Sequence, residues 1–488
     1  MIPKKRLFVI SFAEGAAVMA AEISGAKLLA PFFGSSLYVW SSVMAVTLGG
    51  LACGYFIGGR MSTKAQKEQK LLLILIGAIS CLCLMPFMSG LFYFTASYLP
   101  LIPSVILSVF VLLFPTMLCM GATSPLIISI LTTSAGESGI NSGKIYAIST
   151  VGGIVATFAC GFYLIPYVGV KLTLICFATV LALACLLLIT KKEMKLFPVM
   201  LLPLLCVIIY SFKNTTRHSF IIYETEGMLG KLEIREEPLF KDPSVMIRKL
   251  LINTIIQTEM NVDTKASVSD YVSLLKQNSS YFPEGKALVF GLGGGLVSNM
   301  LAQQHYQVTG VEFDERIIEM AKRFFYLDPS VKTICDDARH YLNSCHQTYN
   351  LILFDVFKAE EQPSHIITSE SLAKLKTIMD TNALVLINTH GYLTGEKGQG
   401  TQCLLATLKQ SGFYVKVCAS GNTEAYRNLV IVAGLHPFTT VWNDEISIPG
   451  TSTSFVNKDD QPVIELLNAP ANKEWRSNYI RNYILGSE

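Results

Sequence analysis

Charge is scarce in this sequence. Only 15% of its 488 residues are charged and mean hydropathy is +0.45, whereas soluble domains carry about 25% charged residues. That argues against a wholly soluble protein. Basic excess is also lacking: the formal net charge is +3, and no stretch offers the basic face that nucleic-acid binding requires. The 12 cysteines include no CxxC pair and no Cys/His zinc spacing, so neither a disulfide framework nor a metal site is expected. No Walker lysine pattern follows the glycine-rich segment described below, which excludes a P-loop ATPase.

The scarcity of charge is local. Residues 1–212 hold 13 Lys and Arg and 5 Asp and Glu, whereas residues 213–488 hold 26 and 31. The first part has the composition of a membrane protein and the second that of a mildly acidic soluble one. Eight cysteines lie before residue 212, in apolar runs where Cys acts as a small hydrophobe. The apolar run after Arg6 is longer than a signal-peptide core and others follow it, so it reads as a first transmembrane helix. Stretches of about 20 apolar residues predict seven spans, at 7–31, 37–59, 71–95, 103–131, 144–168, 171–190 and 196–212, the fourth broken near Pro115 and Gly121. Lys4, Lys5 and Arg6 precede the first span, Arg60, Lys64, Lys67 and Lys70 follow the second, Lys144 follows the fourth, and Lys191, Lys192 and Lys195 follow the sixth. By the positive-inside rule this puts the N-terminus in the cytoplasm, and seven spans then put residues 213–488 on the far side.

Glu14 and Glu22 fall inside the first span, with Lys27 nearer its end. Ionisable groups at membrane depth usually face a bundle interior. They are candidates for a membrane-domain role, with a structural Glu22–Lys27 pair as the alternative. Gly50, Gly54 and Gly58 form a small-residue stripe suited to close helix packing.

Residues 218–260 alternate short apolar runs with Gly227 and Gly230, which reads as a small β-rich unit. From residue 286 strands alternate with helices. A buried strand, 286–290, runs into the turn Gly291-Leu292-Gly293-Gly294-Gly295. A helix from Leu296 to Gln304 and a second strand, 308–312, follow, with further strands at 331–335, 350–355, 383–388 and 428–433. This pattern predicts a doubly wound parallel sheet. Glu312, Asp336-Asp337 and Asp355 end successive strands. Ligands of such sheets bind at the carboxyl ends of the strands, and an acidic residue ending the second strand suits ribose hydroxyls.

On these residues, positions 213–433 resemble the spermidine synthases, the polyamine aminopropyltransferase family, whose fold is Rossmann-like and of the AdoMet-methyltransferase type. The resemblance implies that Gly291, Gly293 and Gly295 hold an adenosyl sulfonium, that Glu312 binds its ribose and that Asp337 and Ala338 meet its adenine. Asn253 to Gln257 resembles the family's VIQ segment, placing Gln257 by the nucleoside. Asp355 stands where the family has the first Asp of its DSSDP loop, the base that helps deprotonate the attacking amine, with Tyr271 a helper. His365 to Glu370 resembles a segment whose turn caps a helix, while His390, a lone histidine expected in a loop, is read as incidental. Glu14-Gly15, Glu22, Leu28 to Gly34, Trp40 and Pro115 to Pro125 resemble the membrane part of fused spermidine synthase-like proteins.

Departures fall on the polyamine side. Gly294 replaces the loop Asp that meets the aminopropyl ammonium, Lys358 replaces the second Asp of the DSSDP loop, and YHE becomes Tyr271-Val272-Ser273. A dicationic acceptor needs carboxylates to offset its desolvation. The resemblance implies decarboxylated AdoMet or AdoMet as co-substrate, no metal, and an amine or membrane-associated acceptor. Two alternatives stay open: an AdoMet methyltransferase on the same fold, and a transporter or sensor with a nucleoside- or polyamine-binding domain. The expected organisation is a multi-pass helical domain at 1–212, a small β unit and connecting helix at 213–285, a nucleoside-binding catalytic domain at 286–440 and an extension at 441–488. The chain is expected in the cell (inner) membrane, in contact with the lipid bilayer and not with nucleic acid; homo-oligomerisation is left open.

Overall fold

The computed structural model describes residues 3–33, 37–99, 101–189, 194–215, 220–227, 229–239, 242–279, 285–356, 365–420, 424–438, 445–446, 448 and 455–479. The chain divides into two compact units, residues 1–219 with 224–232, and residues 220–223 with 233–488.

The first unit is helical. Its elements are α1 (Lys4–Phe33), α2 (Leu37–Ser62), α3 (Lys67–Leu84), α4 (Ser89–Tyr98), α5 (Leu101–Leu131), α6 (Ser138–Ala159), α7 (Ile165–Val168), α8 (Val170–Leu186) and α9 (Leu202–Thr215). Among the described residues, five helical stretches are long and apolar enough to cross a membrane: 4–33, 39–62, 67–87, 102–131 and 138–168. Two expected spans are shorter apolar helices, at 170–186 and 195–210, the latter entered through a 3-10 turn, Met194–Leu201.

Two breaks differ from expectation. The 71–95 stretch is interrupted by a 3-10 turn, Met85–Phe87, around Pro86. In contrast, α5 runs unbroken through Pro115 and Pro125; neighbouring helices in an apolar bundle compensate the hydrogen bonds that proline removes. The glycine stripe of α2 is a packing surface. A Cβ at Gly50 would lie 2.7 Å from that of Met117, and Gly54 and Gly58 lie against the backbone of Leu118 to Ala122.

A four-stranded sheet follows, ordered β1 (Ile221–Gly227), β2 (Gly230–Leu239), β3 (Asp242–Ile252), β4 (Ile255–Asn261). The apolar run from Leu250 to Ile256 spans the turn between β3 and β4. Asn253 and Thr254 both take positive φ, 49° and 71°, the conformation of a two-residue hairpin turn.

Helix α10 (Asp270–Ser279) leads into the second sheet through β5 (Lys286–Phe290), α11 (Leu296–Gln303), β6 (Gln307–Glu312), α12 (Glu315–Phe324), β7 (Lys332–Cys335), α13 (Ala338–Ser344) and β8 (Tyr349–Phe354). The chain continues with α14 (Ser369–Lys376), β9 (Met379–Gly391), α15 (Gln399–Gln410), β10 (Tyr414–Ala419), β11 (Arg427–Gly434), β12 (Glu445–Ile446) and α16 (Ile464–Tyr479). The eight strands are ordered β12-β10-β11-β9-β8-β5-β6-β7. Strands β5 to β9 pair in parallel, while β11 runs antiparallel to both β9 and β10. This is a doubly wound, Rossmann-like sheet with an antiparallel strand, β11, at the β9 side. Its order reverses at β5, between β6 and β8, and such switch points open the ligand crevice.

Alternation along the strands splits the core. Leu288, Phe290, Ile352, Phe354, Val385 and Ile387 pack on one face. Ala287, Val289, Leu351, Leu353, Leu384 and Leu386 pack on the other, with Leu274 and Leu275 of α10.

Candidate active site

The glycine turn leaves β5 at the switch point. Gly291, Gly293 and Gly295 take φ of +86°, +50° and +79°, where a side chain would be strained. At Gly291 a Cβ would run into the Asp355 carbonyl oxygen, so the loop and the end of β8 pack backbone to backbone. The Gly291 N–H donates to Val311 O at 2.9 Å, and the Gly294 N–H donates to Thr258 Oγ1 on β4 at 2.8 Å.

Glu312, only 7% exposed, ends β6 against this loop. Its Oε2 accepts from the Leu292 N–H at 3.0 Å and its Oε1 from the Asp314 N–H at 3.1 Å. Burial pushes its carboxyl above the usual range, and these N–H groups pull it back. Asp337 caps α13, its Oδ1 accepting from the N–H of Arg339 at 2.9 Å and of His340 at 3.0 Å. Its Oδ2 lies 3.8 Å from His365 Nε2. Ala338 is the buried first residue of that helix. Gln257 is half-buried on β4, its Nε2 lying 3.4 Å from the carbonyls of Ile255 and Ile256.

Asp355 follows β8. Its main-chain N–H donates to Phe290 O at 2.8 Å. Its Oδ2 accepts the Tyr271 hydroxyl of α10 at 3.2 Å and its Oδ1 accepts Asn388 Nδ2 of β9 at 2.8 Å. Burial raises its carboxyl pKa, while the bonds from Asn388 and Tyr271 lower it. The Tyr271 phenol is pushed well up by burial and by the Asp355 charge.

The contacts continue into residues the sequence did not single out. Asn388 Oδ1 accepts from Asn428 Nδ2 at 3.3 Å, and that amide lies 2.8 Å from His390 Nε2. His390 is thus not an incidental loop residue: it sits on β9 and pairs in register with Asn428 of β11. Asn388 follows Ile387, the last residue of β9 that pairs with β8, so it stands level with the carboxyl ends of the parallel strands, where Glu312 and Asp355 lie. Thr368, by contrast, is the structural cap expected of its segment, accepting from the Ser371 N–H at 3.1 Å. Glu14, 3% exposed, accepts from Ser149 Oγ at 3.1 Å in the helical unit, where Glu22 is half-buried. Lys358 lies outside the described residues.

No family model matches the chain. Over 203 residues it is 29% identical to a polyamine aminopropyltransferase of Vibrio vulnificus, covering 39% of this chain and 66% of that protein. The C-terminal part of the chain is spermidine synthase-like. A probable polyamine aminopropyl transferase of Bifidobacterium longum is 21% identical over 205 residues, covering 42% of this chain and 43% of its own length. A probable spermidine synthase from Corynebacterium glutamicum superposes with TM-score 0.39 and 16% identity, over 46% of this chain and 83% of that one. The chain thus spans from about two thirds to less than half of the curated relatives named here.

Proposed function

We propose that the protein is a membrane-bound transferase that moves an aminopropyl or related group from an adenosyl sulfonium to an amine. The carrying observation is Asp355, held by Tyr271 and Asn388 beside the glycine turn at the switch point of the sheet. A sulfonium is already an activated leaving group, so the protein's task is to position the amine and remove its proton. The amine lone pair forms a bond to the carbon next to sulfur, the carbon–sulfur bond breaks, and its electron pair neutralises the sulfur as a thioether. The proton released from nitrogen passes to Asp355, with Tyr271 orienting the carboxylate. Gly291, Gly293 and Gly295 admit the nucleoside, Glu312 accepts from its ribose hydroxyls, Asp337 and Ala338 meet the adenine, and Gln257 flanks it.

Decarboxylated AdoMet is the donor under this reading. Mass spectrometry of products after incubating the full chain with decarboxylated AdoMet or AdoMet and a panel of amines tests it. A donor-dependent aminopropylated amine is the expected result, and no transfer from either donor refutes it.

One observation favours AdoMet and methyl transfer as a second reading. The position of the donor-binding loop Asp is Gly294, and a Cβ there would lie 2.6 Å from Thr258 Cγ2. No carboxylate therefore stands at that place to repel a methionine carboxylate. The long apolar helices support residence in a membrane, and the Lys and Arg bias of the short loops supports a cytoplasmic N-terminus in the inner membrane.

A further inference from the structure

The helical unit buries a carboxylate at membrane depth. Glu14 stands about three turns into α1 and is 3% exposed. Its Oε2 accepts from Ser149 Oγ of α6 at 3.1 Å, and among the described residues its Oε1 has no hydrogen-bond partner. The two helices that carry this pair touch backbone to backbone. A Cβ at Gly15 would lie 2.0 Å from Ser149 O, and one at Gly152 would lie 2.2 Å from Phe12 O. Ser11 Oγ adds a bond to Ile145 O at 3.2 Å. The Ser149 hydroxyl is therefore held against α1, and its bond to the carboxylate is built into the crossing.

No cation answers this charge among the described residues. Helices α4 and α5 carry no Asp, Glu, Lys, Arg or His. Arg60 sits in the last turn of α2, its guanidinium 4.1 Å over the Phe56 ring. Lys144 of α6 is exposed. Helix α8 brings Lys171 at its start and the thiols Cys176 and Cys185, none of them bonded to Glu14. Cys160 and Tyr163 lie about three turns or more beyond Ser149. Glu22 is eight residues further along α1, about 12 Å away.

The groups that do face Glu14 carry exchangeable protons. Its charge acts on the Tyr55 phenol of α2. The Tyr55 ring meets that of Tyr146 edge to face, centroids 6.5 Å apart, and these two side chains are 41% and 46% exposed. Tyr146 precedes Ser149 by three residues, on the same face of α6. An ionised carboxylate with one neutral hydroxyl partner is costly in an apolar bundle, and taking up a proton removes the charge.

We propose that Glu14 is a reversible proton-binding site of the helical unit, with Ser149 as its fixed hydroxyl partner and the Tyr55–Tyr146 pair as its route of proton exchange. Glu14 Oε1 gains the proton. A phenol gives it and takes another from water, so each tyrosine is neutral before and after. The inference is independent of the chemistry at Asp355.

The test uses the full-length protein in lipid nanodiscs. Dicyclohexylcarbodiimide couples to protonated carboxyls in apolar surroundings, and peptide mass spectrometry locates the adduct. Glu14 should be modified, less so as the pH is raised; Glu14→Gln should lose this adduct and Glu22→Gln should keep it. Infrared difference spectra of the parent should show a protonated-carboxyl band that titrates with pH and is missing in Glu14→Gln. In the double variant Tyr55→Phe with Tyr146→Phe the band should remain. Its hydrogen–deuterium exchange should slow by about a hundredfold, the lower end of what a positioned proton-transfer group contributes. An adduct confined to Glu22, or a Glu14 band that persists unchanged at every pH, overturns the site, and both are read on the parent protein whether or not a variant folds. An unchanged exchange rate in the double variant overturns the tyrosine route.

Discussion

Tyr271 and Asp355 are joined across 84 positions of sequence by a 3.2 Å hydrogen bond from the phenol to the carboxylate. With Asn388 on the other oxygen at 2.8 Å, the carboxylate has a fixed orientation before any substrate arrives. A positioned general base contributes roughly 10²–10⁴-fold to a rate. Asp355→Asn should therefore reduce transfer by about that factor while leaving affinity for methylthioadenosine, the thioether product, unchanged, as measured by single-turnover kinetics beside calorimetric titration. Equal loss of both would reassign Asp355 to nucleoside binding.

The same pair predicts a pH signature. The base works only when ionised, and burial raises its pKa, so activity should fall with acidification at a pH above the ordinary carboxylate range. The Tyr271 bond lowers that pKa; deleting it raises the value further. Tyr271→Phe should therefore move the acid limb of kcat/KM to higher pH. Asn388→Ala should move it the same way, because the Asn388 bond is the larger of the two lowering effects. A limb that stays in place shows that some other group titrates.

Glu312 gives a binding prediction independent of the acceptor. Two of its acceptor positions face the N–H groups of Leu292 and Asp314. In the proposed complex the rest of its capacity takes the ribose hydroxyls. Glu312→Ala should weaken methylthioadenosine by about 1–3 kcal/mol, the usual cost of leaving buried donors without a charged acceptor. Unchanged calorimetric affinity would remove Glu312 from the nucleoside site.

Gly294 and Thr258 form a packed pair, so the family's loop carboxylate cannot simply be restored. A Cβ at 294 would also lie 3.0 Å from the Phe325 ring. Gly294→Asp alone should lower stability by about 1–3 kcal/mol through overpacking, seen as a reduced denaturation midpoint. Adding Thr258→Ala should recover part of it and shift donor preference toward decarboxylated AdoMet in competition assays. A single variant as stable as the parent would show that the loop relaxes freely.

Legibility followed physical scale. The glycine turn and the acidic strand ends were readable because short buried strands announce themselves by composition, and chemistry gathers where they end. The apolar helices were readable for a similar reason. Pro86 and Pro115 were not separable: one interrupts a helix and the other does not, and packing decides which. The Asn388–Asn428–His390 cluster depends on the antiparallel register of β9 with β11, which no local pattern encodes. Strand β10 passed unread because Lys416 interrupts its apolar run.

The sidedness of the sheet unit turns on α9. Helix α8 carries Lys191, Lys192 and Lys195 after it, a cluster that favours the cytoplasm. If α9 and its entering turn cross, the spans before residue 216 are odd in number and the sheet unit lies outside. If that segment rests on the surface, the unit returns to the cytoplasm, where the adenosyl sulfonium is made. Charge near helix ends acts directly on insertion, so the expected outcome is the outside placement. Asp263 is exposed in a turn of the sheet unit, and Cys335 is the exposed native cysteine among the described residues of that unit. Asp263→Cys in a Cys335→Ser background should react with a membrane-impermeant maleimide on intact cells. Labelling only after the membrane is broken would place the unit inside and make α9 a surface helix. In that case the donor needs no path across the bilayer, and Glu14 and Glu22 lose the one transport duty that an outside enzyme would assign them.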